Sequence, residues 1–314
     1  MSARTGPVGG ARTPHAARPA DYVSLLALAL IWGSSFFFVE LGLRSLTPIT
    51  LTAARIVLGA FSLVVAARLM GNRFPRDARH WRHFFLLGLF SNVLPFSLIS
   101  TGQVAIDSGL AAILISTVPL LTLPLAHAFT DDKINARKLI GVTLGFAGIV
   151  ILIGPDSLGT MGGQFWGQLM IVGAALCFAI ALVLARRLRD VPSLVASSAS
   201  MSCSTVMIIA LTFILETPFA LRPTTISIFG AVMLGVFASG VAVLLYFRLT
   251  ATVGPNFVAA NNFIAPAVGV TWGVLLLGEP FTGRAIAALA VILAGIAVAT
   301  VRRPGRRPAP APGE

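Results

Sequence analysis

The chain has 314 residues, 56% of them hydrophobic and 11% charged, with a mean hydropathy of +0.90 and a net charge of +12. A soluble domain carries about 25% charged residues, so an ordinary globular protein is excluded. Apolar runs of about 20 residues point instead to an all-α polytopic membrane protein, and a β-barrel, built from alternating segments of about 10 residues, does not fit.

Residues 1–21 are rich in Arg, Pro, Gly and Ala and are expected to be a disordered tail. The first apolar run, 22–43, is too long for a signal-peptide core and reads as a retained helix. It carries Trp32, Ser35 and Glu40, and Glu40 alone among the eleven acids lies clearly within a span. The second predicted helix, 50–69, holds Arg55 in a stripe with Thr52, Gly59 and Ser62 that should face protein. Glu40 and Arg55 share a depth near the outer surface. Either both side chains snorkel to headgroups, or they form an ion pair or outer-gate pair that meets a charged group of a substrate. Helix 81–103 places Asn92 near its middle and Gln103 three turns later; Asn92 either bonds a neighbouring helix or lines a cavity.

Helix 110–129 contains Ser116, Thr117 and Pro119, with His127 near its inner end as a solvated histidine or a proton relay. Helix 138–154 carries a face of Gly141, Gly145 and Gly148, suited to close packing within the chain or in a homodimer. After a linker at 155–163, helices 164–186 and 194–215 enclose Cys177 and Cys203, which have no metal-ligand or disulfide spacing. Helix 226–250 includes Tyr246, like Trp32 a cavity-wall aromatic or a packing residue. Helix 257–277 contains Asn261, Asn262 and Pro266, and is followed by the turn Gly278-Glu279-Pro280. Helix 284–301, with small residues at Ala290, Ala294 and Gly295, precedes a basic tail at 302–314.

A proline inside a helix deprives the carbonyl four residues earlier of its partner. For Pro266 that carbonyl is Asn262's, and for Pro119 it is Ile115's. Amides or hydroxyls stand beside both, so the two prolines predict hinges with hydrogen-bonding groups near mid-bilayer. Glu279 lies in an outer turn, where an acid costs little.

With ten spans and the N-terminus inside, 19 Lys and Arg fall on the cytoplasmic side and three, Arg44, Arg222 and Arg284, outside. This bias predicts both termini in the cytoplasm. Shifting the chain by 147 residues superposes Gly88 on Gly235, Phe90 on Phe237, Pro119 on Pro266 and Ala147-Gly148-Ile149 on Ala294-Gly295-Ile296. Five helices per half make the second half enter from the opposite side, an inverted repeat of the kind found in secondary transporters. The expected repeats are 22–154 and 164–301.

The motifs Ile31-Trp32-Gly33-Ser34-Ser35, Arg55, Ser116-Thr117-Val118-Pro119, Gly141-Val-Thr-Leu-Gly145-Phe-Ala-Gly148, Pro266, Leu277-Gly278-Glu279-Pro280 and Leu293-Ala294-Gly295-Ile296 occur in order over 22–301. In these the chain resembles an EamA-type member of the drug/metabolite transporter superfamily. It departs from the pattern where Asp131-Asp132-Lys133 stands in place of a Gly-Glu-Pro-like turn. The resemblance implies transport without naming a cargo.

The expected protein is a secondary transporter of a small metabolite, amino acid or drug-like compound, an exporter or exchanger in a bacterial inner membrane. Its partners are the lipid bilayer and a small-molecule substrate, with no nucleic acid, cofactor or metal. The candidate cavity residues are Trp32, Ser35, Glu40, Arg55, Asn92, Ser116, Thr117, Pro119, Tyr246, Asn261, Asn262 and Pro266. Glu40 and His127 are the candidates for proton coupling. A P-loop is absent. An intramembrane enzyme would need HExxH, GxSxG or a buried acid pair, none of which occurs, and a non-transporting sensor or scaffold is the other alternative.

Overall fold

A computed structural model of the chain describes residues 16–129, 135–160, 162–188, 190–280 and 282–300, with the main chain alone over 155–160 and at 256. Of the tail expected at 1–21, residues 1–15 lie outside these residues and 19–21 already belong to the first helix; the tail at 302–314 and the Asp131-Asp132-Lys133 turn also lie outside. All regular structure among the described residues is helical. Among the described residues, nine helices are long and apolar enough to cross a membrane: α1 Pro19–Leu43, α2 Pro48–Leu69, α3 Ala78–Gly102, α4 Ser108–Phe129, α5 Ala136–Gly154, α6 Gly163–Leu188, α7 Ser193–Leu215, α8 Thr225–Thr252 and, last of them, Gly283–Thr300. Before that last helix comes a shorter apolar one, α9 Asn261–Leu277, preceded by a single turn at Pro255–Val258. Gly283–Thr300 is therefore α10. Large apolar side chains such as Phe61, Val206, Phe213 and Ile214 point outward with more than half their surface free. In water such a surface would aggregate, so the chain is a multi-pass membrane protein.

Local chemistry sets several boundaries a few residues earlier than hydropathy suggests. Pro48 occupies the first turn of α2, where its missing N–H has no cost. Asp77 caps α3 by accepting from the His80 N–H at 3.0 Å. The end of α5, by contrast, falls where expected: Gly154, at φ +69°, ends its regular part in a conformation that favours glycine.

The helices are also interrupted within their spans. α1 breaks at Ser34, and α4 breaks at Ser116-Thr117 into Ser108–Ile115 and Val118–Phe129. α3 widens to a π-helix over Leu89–Val93, and α8 does so over Met233–Val241. The break in α4 revises the expectation for Pro119. Pro119 sits in the first turn of a new helical segment, where proline is well tolerated, rather than inside a continuous helix. The hydroxyls of Ser116 and Thr117 donate to the carbonyls of Ile113 and Leu114 at 2.6 and 2.7 Å. These two side chains thus satisfy their own broken helix. Pro266, by contrast, does lie inside α9.

Eight helices pack side by side in a closed ring in the order α1, α8, α2, α7, α3, α6, α4, α9 and back to α1. Members of α1–α5 alternate around it with members of α6–α10. The remaining pair, α5 and α10, pack on each other at its flank. A Cβ at Gly141 would stand 2.6 Å from the Gly295 carbonyl oxygen, and one at Gly295 would stand 2.7 Å from that of Gly141. The small-residue face of Gly141 and Gly148 is thus used within the chain, while Gly145 meets Leu120 of α4.

Candidate functional site

The polar centre of the ring is built on α2. Arg55 lies seven residues into that helix, about 10 Å along its axis from its N-terminal end. It keeps 8% of its surface exposed, and Thr52 one turn earlier keeps none. Its Nε donates to Ser239 Oγ of α8 at 3.1 Å, and its guanidinium carbon lies 3.6 Å from the centre of the Phe96 ring on α3. Thr52 Oγ1 donates to the Phe96 carbonyl at 3.3 Å and to Ser100 Oγ at 3.1 Å. The stripe predicted on α2 therefore does face protein, and one stripe grips two neighbouring helices.

Ser239 lies in the π-helical part of α8, where the wide turn changes the pairing of backbone carbonyls. The preceding residue supplies one of them: Trp32 Nε1 donates to the Ala238 carbonyl at 3.1 Å, and its ring lies 5.6 Å from that of Tyr246. Three of the predicted residues, Trp32, Arg55 and Tyr246, thus converge on α8 and its π-helical segment.

Asn92 occupies the matching place in the other π-helix. Its Nδ2 donates to Ser204 Oγ of α7 at 3.0 Å. Asn92 and Ser239 are 147 residues apart, as are Gly88 and Gly235. A Cβ at Gly88 would stand 2.5 Å from the Ser200 carbonyl oxygen of α7, and one at Gly235 would stand 3.1 Å from the Arg55 carbonyl oxygen of α2. Only glycine allows these backbones so close, and the close approach brings the polar partners within reach. Phe96, Ser204 and Ser239 were not among the predicted site residues. The signal for Ser239 is its offset from Asn92; Phe96 and Ser204 have none beyond their place in the ring.

The other predicted residues lie apart from this centre. Ser35 is buried and bonds its own helix through Ile31. Asn261 is buried at the start of α9 with its Oδ1 unpartnered, and Asn262 beside it is half-buried. His127 is exposed near the end of α4. Glu40 is half-buried and makes neither a hydrogen bond nor an ion pair with Arg55. Its charged neighbours are Glu279, Arg44 and Asp107, at the opposite end of the short α1 segment from the polar centre. The two side chains therefore do not pair, and Arg55 turns inward.

Glu279 has a defined task that its position in an outer turn did not suggest. Its carboxylate accepts from the N–H groups of Ser108 at 2.7 Å and Gly109 at 2.9 Å, capping the start of α4 from the end of α9. Glu216, at the end of α7, does the same for α2. It accepts from the N–H groups of Ile49 and Thr50 at 3.0 and 2.7 Å, and from both threonine hydroxyls, Thr47 and Thr50. The N-terminal dipole and free N–H groups of each helix stabilise the negative charge placed there.

The energetics of Arg55 are unusual. Withdrawing a guanidinium from water costs several kcal/mol, and arginine does not escape the cost by losing its proton. Stacking on a desolvated ring returns about 2 kcal/mol, and a hydrogen bond from a charged donor about 1.5–3 kcal/mol. No carboxylate among the described residues pairs with Arg55, so its charge is incompletely compensated.

Two stretches of the chain, residues 21–154 and 165–301, each match the EamA-like transporter family. The chain is similar to the uncharacterized inner membrane transporter YedA of Escherichia coli K12, at 27% identity over 88% of this chain and 90% of that protein. It is similar to the uncharacterized transporter YoaV of Bacillus subtilis 168, at 20% identity over 87% and 94%, and to an uncharacterized transporter of Archaeoglobus fulgidus, at 24% identity over 90% and 99%. A solved crystal structure shares the fold with a TM-score of 0.66 at 19% identity, covering 90% of this chain and 98% of its own.

Proposed function

Because the chain belongs to the EamA-like transporter family, we propose that it is a secondary transporter that moves a small solute through the centre of the ring by alternating access. It crosses the membrane ten times, α9 with its preceding turn supplying the crossing that the shorter helix alone would leave doubtful. Both termini are cytoplasmic, as the distribution of Lys and Arg requires. The two five-helix halves are inverted repeats in a bacterial inner membrane, working as an exporter or exchanger.

The observation that carries this reading is the alternation around the ring. A two-fold relation that exchanges α1–α5 with α6–α10 maps the ring onto itself, and two contacts, α2 with α7 and α4 with α9, map onto themselves. Those are the pairs tied at their outer ends by Glu216 and Glu279. At the inner ends of the same pairs, the starts of α7 and of the segment at Pro255 have no side-chain cap. The carboxylate caps stand on one side only, although Ser198 Oγ also joins α7 to α2 nearer the other end by donating to the Leu63 carbonyl at 3.0 Å, and such one-sided capping suits rocking between two access states.

Purified protein in sealed vesicles should exchange labelled internal solute for external solute without ATP. A panel of amino acids, organic acids, neutral metabolites and cationic drugs tests it; failure of every member to show counterflow overturns the reading. An imposed pH gradient should drive accumulation if Glu40 couples protons, and Glu40→Gln should then abolish the drive but keep exchange.

A further inference from the structure

We infer that Arg55 is the anchor for the carboxylate of the cargo, and that the solute carried is a small organic monocarboxylate. The inference rests on the transport reading and narrows it to a substrate class.

A guanidinium presents five N–H donors. In Arg55 the Nε–H is taken by Ser239, one face is covered by Phe96, and four Nη–H donors have no acceptor among the described residues. The residue is not sealed, since 8% of its surface stays open. The acids whose side chains are described are all committed elsewhere or distant, Asp21 accepting from the Arg18 N–H at the start of α1. Glu216 and Glu279 cap helices, Asp77 and Asp190 bind His80, and Glu40 lies with Asp107 and Glu279 at the outer end.

The geometry of the remaining edge selects the ligand. With Nε engaged, the edge formed by the two Nη groups is left for a planar acceptor, and a carboxylate meets it with two parallel hydrogen bonds. One guanidinium balances one negative charge. A phosphate dianion would call for a second cation, which no described residue supplies here. Phe96 gives the stacked guanidinium a platform, and Thr52 holds that platform in place through the Phe96 carbonyl. The bound anion would also complete the charge compensation that protein groups leave unfinished, so binding and stability of this region are linked.

The experiment compares each carboxylate with its primary amide on wild-type protein in vesicles. Labelled L-leucine, pyruvate and benzoate are exchanged, with leucinamide, pyruvamide and benzamide as competitors and tetraphenylphosphonium as a cationic probe. We expect at least one carboxylate to exchange, and its amide to compete about tenfold more weakly or worse. Arg55→Lys keeps the charge but loses the fork, and should weaken apparent affinity for that carboxylate about tenfold; Arg55→Gln should abolish its exchange. If either variant fails to fold, the wild-type carboxylate-against-amide ratio decides alone. Exchange confined to tetraphenylphosphonium, competition by an amide as strong as that of its carboxylate, or unaltered carboxylate exchange in folded Arg55→Gln overturns the inference and leaves transport standing. Absence of exchange by every probe overturns the inference, and the transport reading falls with it only if the full panel of amino acids, organic acids, neutral metabolites and cationic drugs also fails.

Discussion

At the scale of single residues, two buried amides look alike in the sequence and differ in the fold. Asn92 is bonded: its Nδ2 reaches Ser204 Oγ, which also keeps a bond of 2.8 Å to the Ser200 carbonyl. Asn261 is 5% exposed and its Oδ1 accepts nothing. A buried acceptor without a donor costs about 1–3 kcal/mol, and natural chains retain such groups for a reason. Asn261→Ala removes that cost, so its thermal midpoint should hold or rise while counterflow falls. Asn92→Ala loses a bond whose partner stays satisfied, so it should cost about 1 kcal/mol in stability. Measuring midpoint and counterflow on both variants separates the roles. A lowered midpoint in Asn261→Ala with normal counterflow would make it a packing residue. Sequence reasoning found both amides from the cost of polar groups in hydrocarbon, but which of them had a partner depended on residues more than a hundred positions away.

At the scale of helices, the spans, the polar stripe of α2 and the glycine faces were legible because each is written in local periodicity. The breaks were less so. Pro119 reads from spacing as an interior proline, yet two hydroxyls end the helix just before it, and the cost of the proline disappears. The π-helices of α3 and α8 had no local mark at all. The carboxylate caps join residues as far apart as Glu216 and Thr47, so an acid at a helix end carried no sign of its partner. Burial raises the pKa of Glu216, and four hydrogen bonds, from the hydroxyls of Thr47 and Thr50 and the N–H groups of Ile49 and Thr50, outweigh it and hold the carboxyl below its ordinary value of 4.5. A carboxyl with a lowered folded-state pKa contributes stability in full above its ordinary pKa, and that contribution is lost as pH falls through the lowered value. Wild type should therefore lose stability between about pH 5 and pH 3 more steeply than Glu216→Gln does. At neutral pH the variant should be less stable by about 1 kcal/mol, the worth of a charged cap. Thermal unfolding across that pH range checks both, and parallel curves would remove Glu216 as a cap that matters.

At the scale of the molecule, the alternating ring and the crossing number stand or fall together. Hydropathy and the sidedness of Arg predict ten crossings, but ring order is a matter of packing that no single helix encodes. Between Arg76, exposed after α2, and Arg222, exposed before α8, the chain passes through α3, α4, α5, α6 and α7. Five crossings are an odd number, so the two positions must lie on opposite faces. Replacing Cys177 and Cys203, both half-buried in helices, by Ala leaves a background without thiols. On it, the thiol of Arg222→Cys should react with an impermeant maleimide in intact cells, and that of Arg76→Cys only after the membrane is opened. Labelling of both from one face would make the number of crossings even. The second half would then run parallel to the first, and the exchange that maps α2 onto α7 and α4 onto α9 would lose its inverted sense.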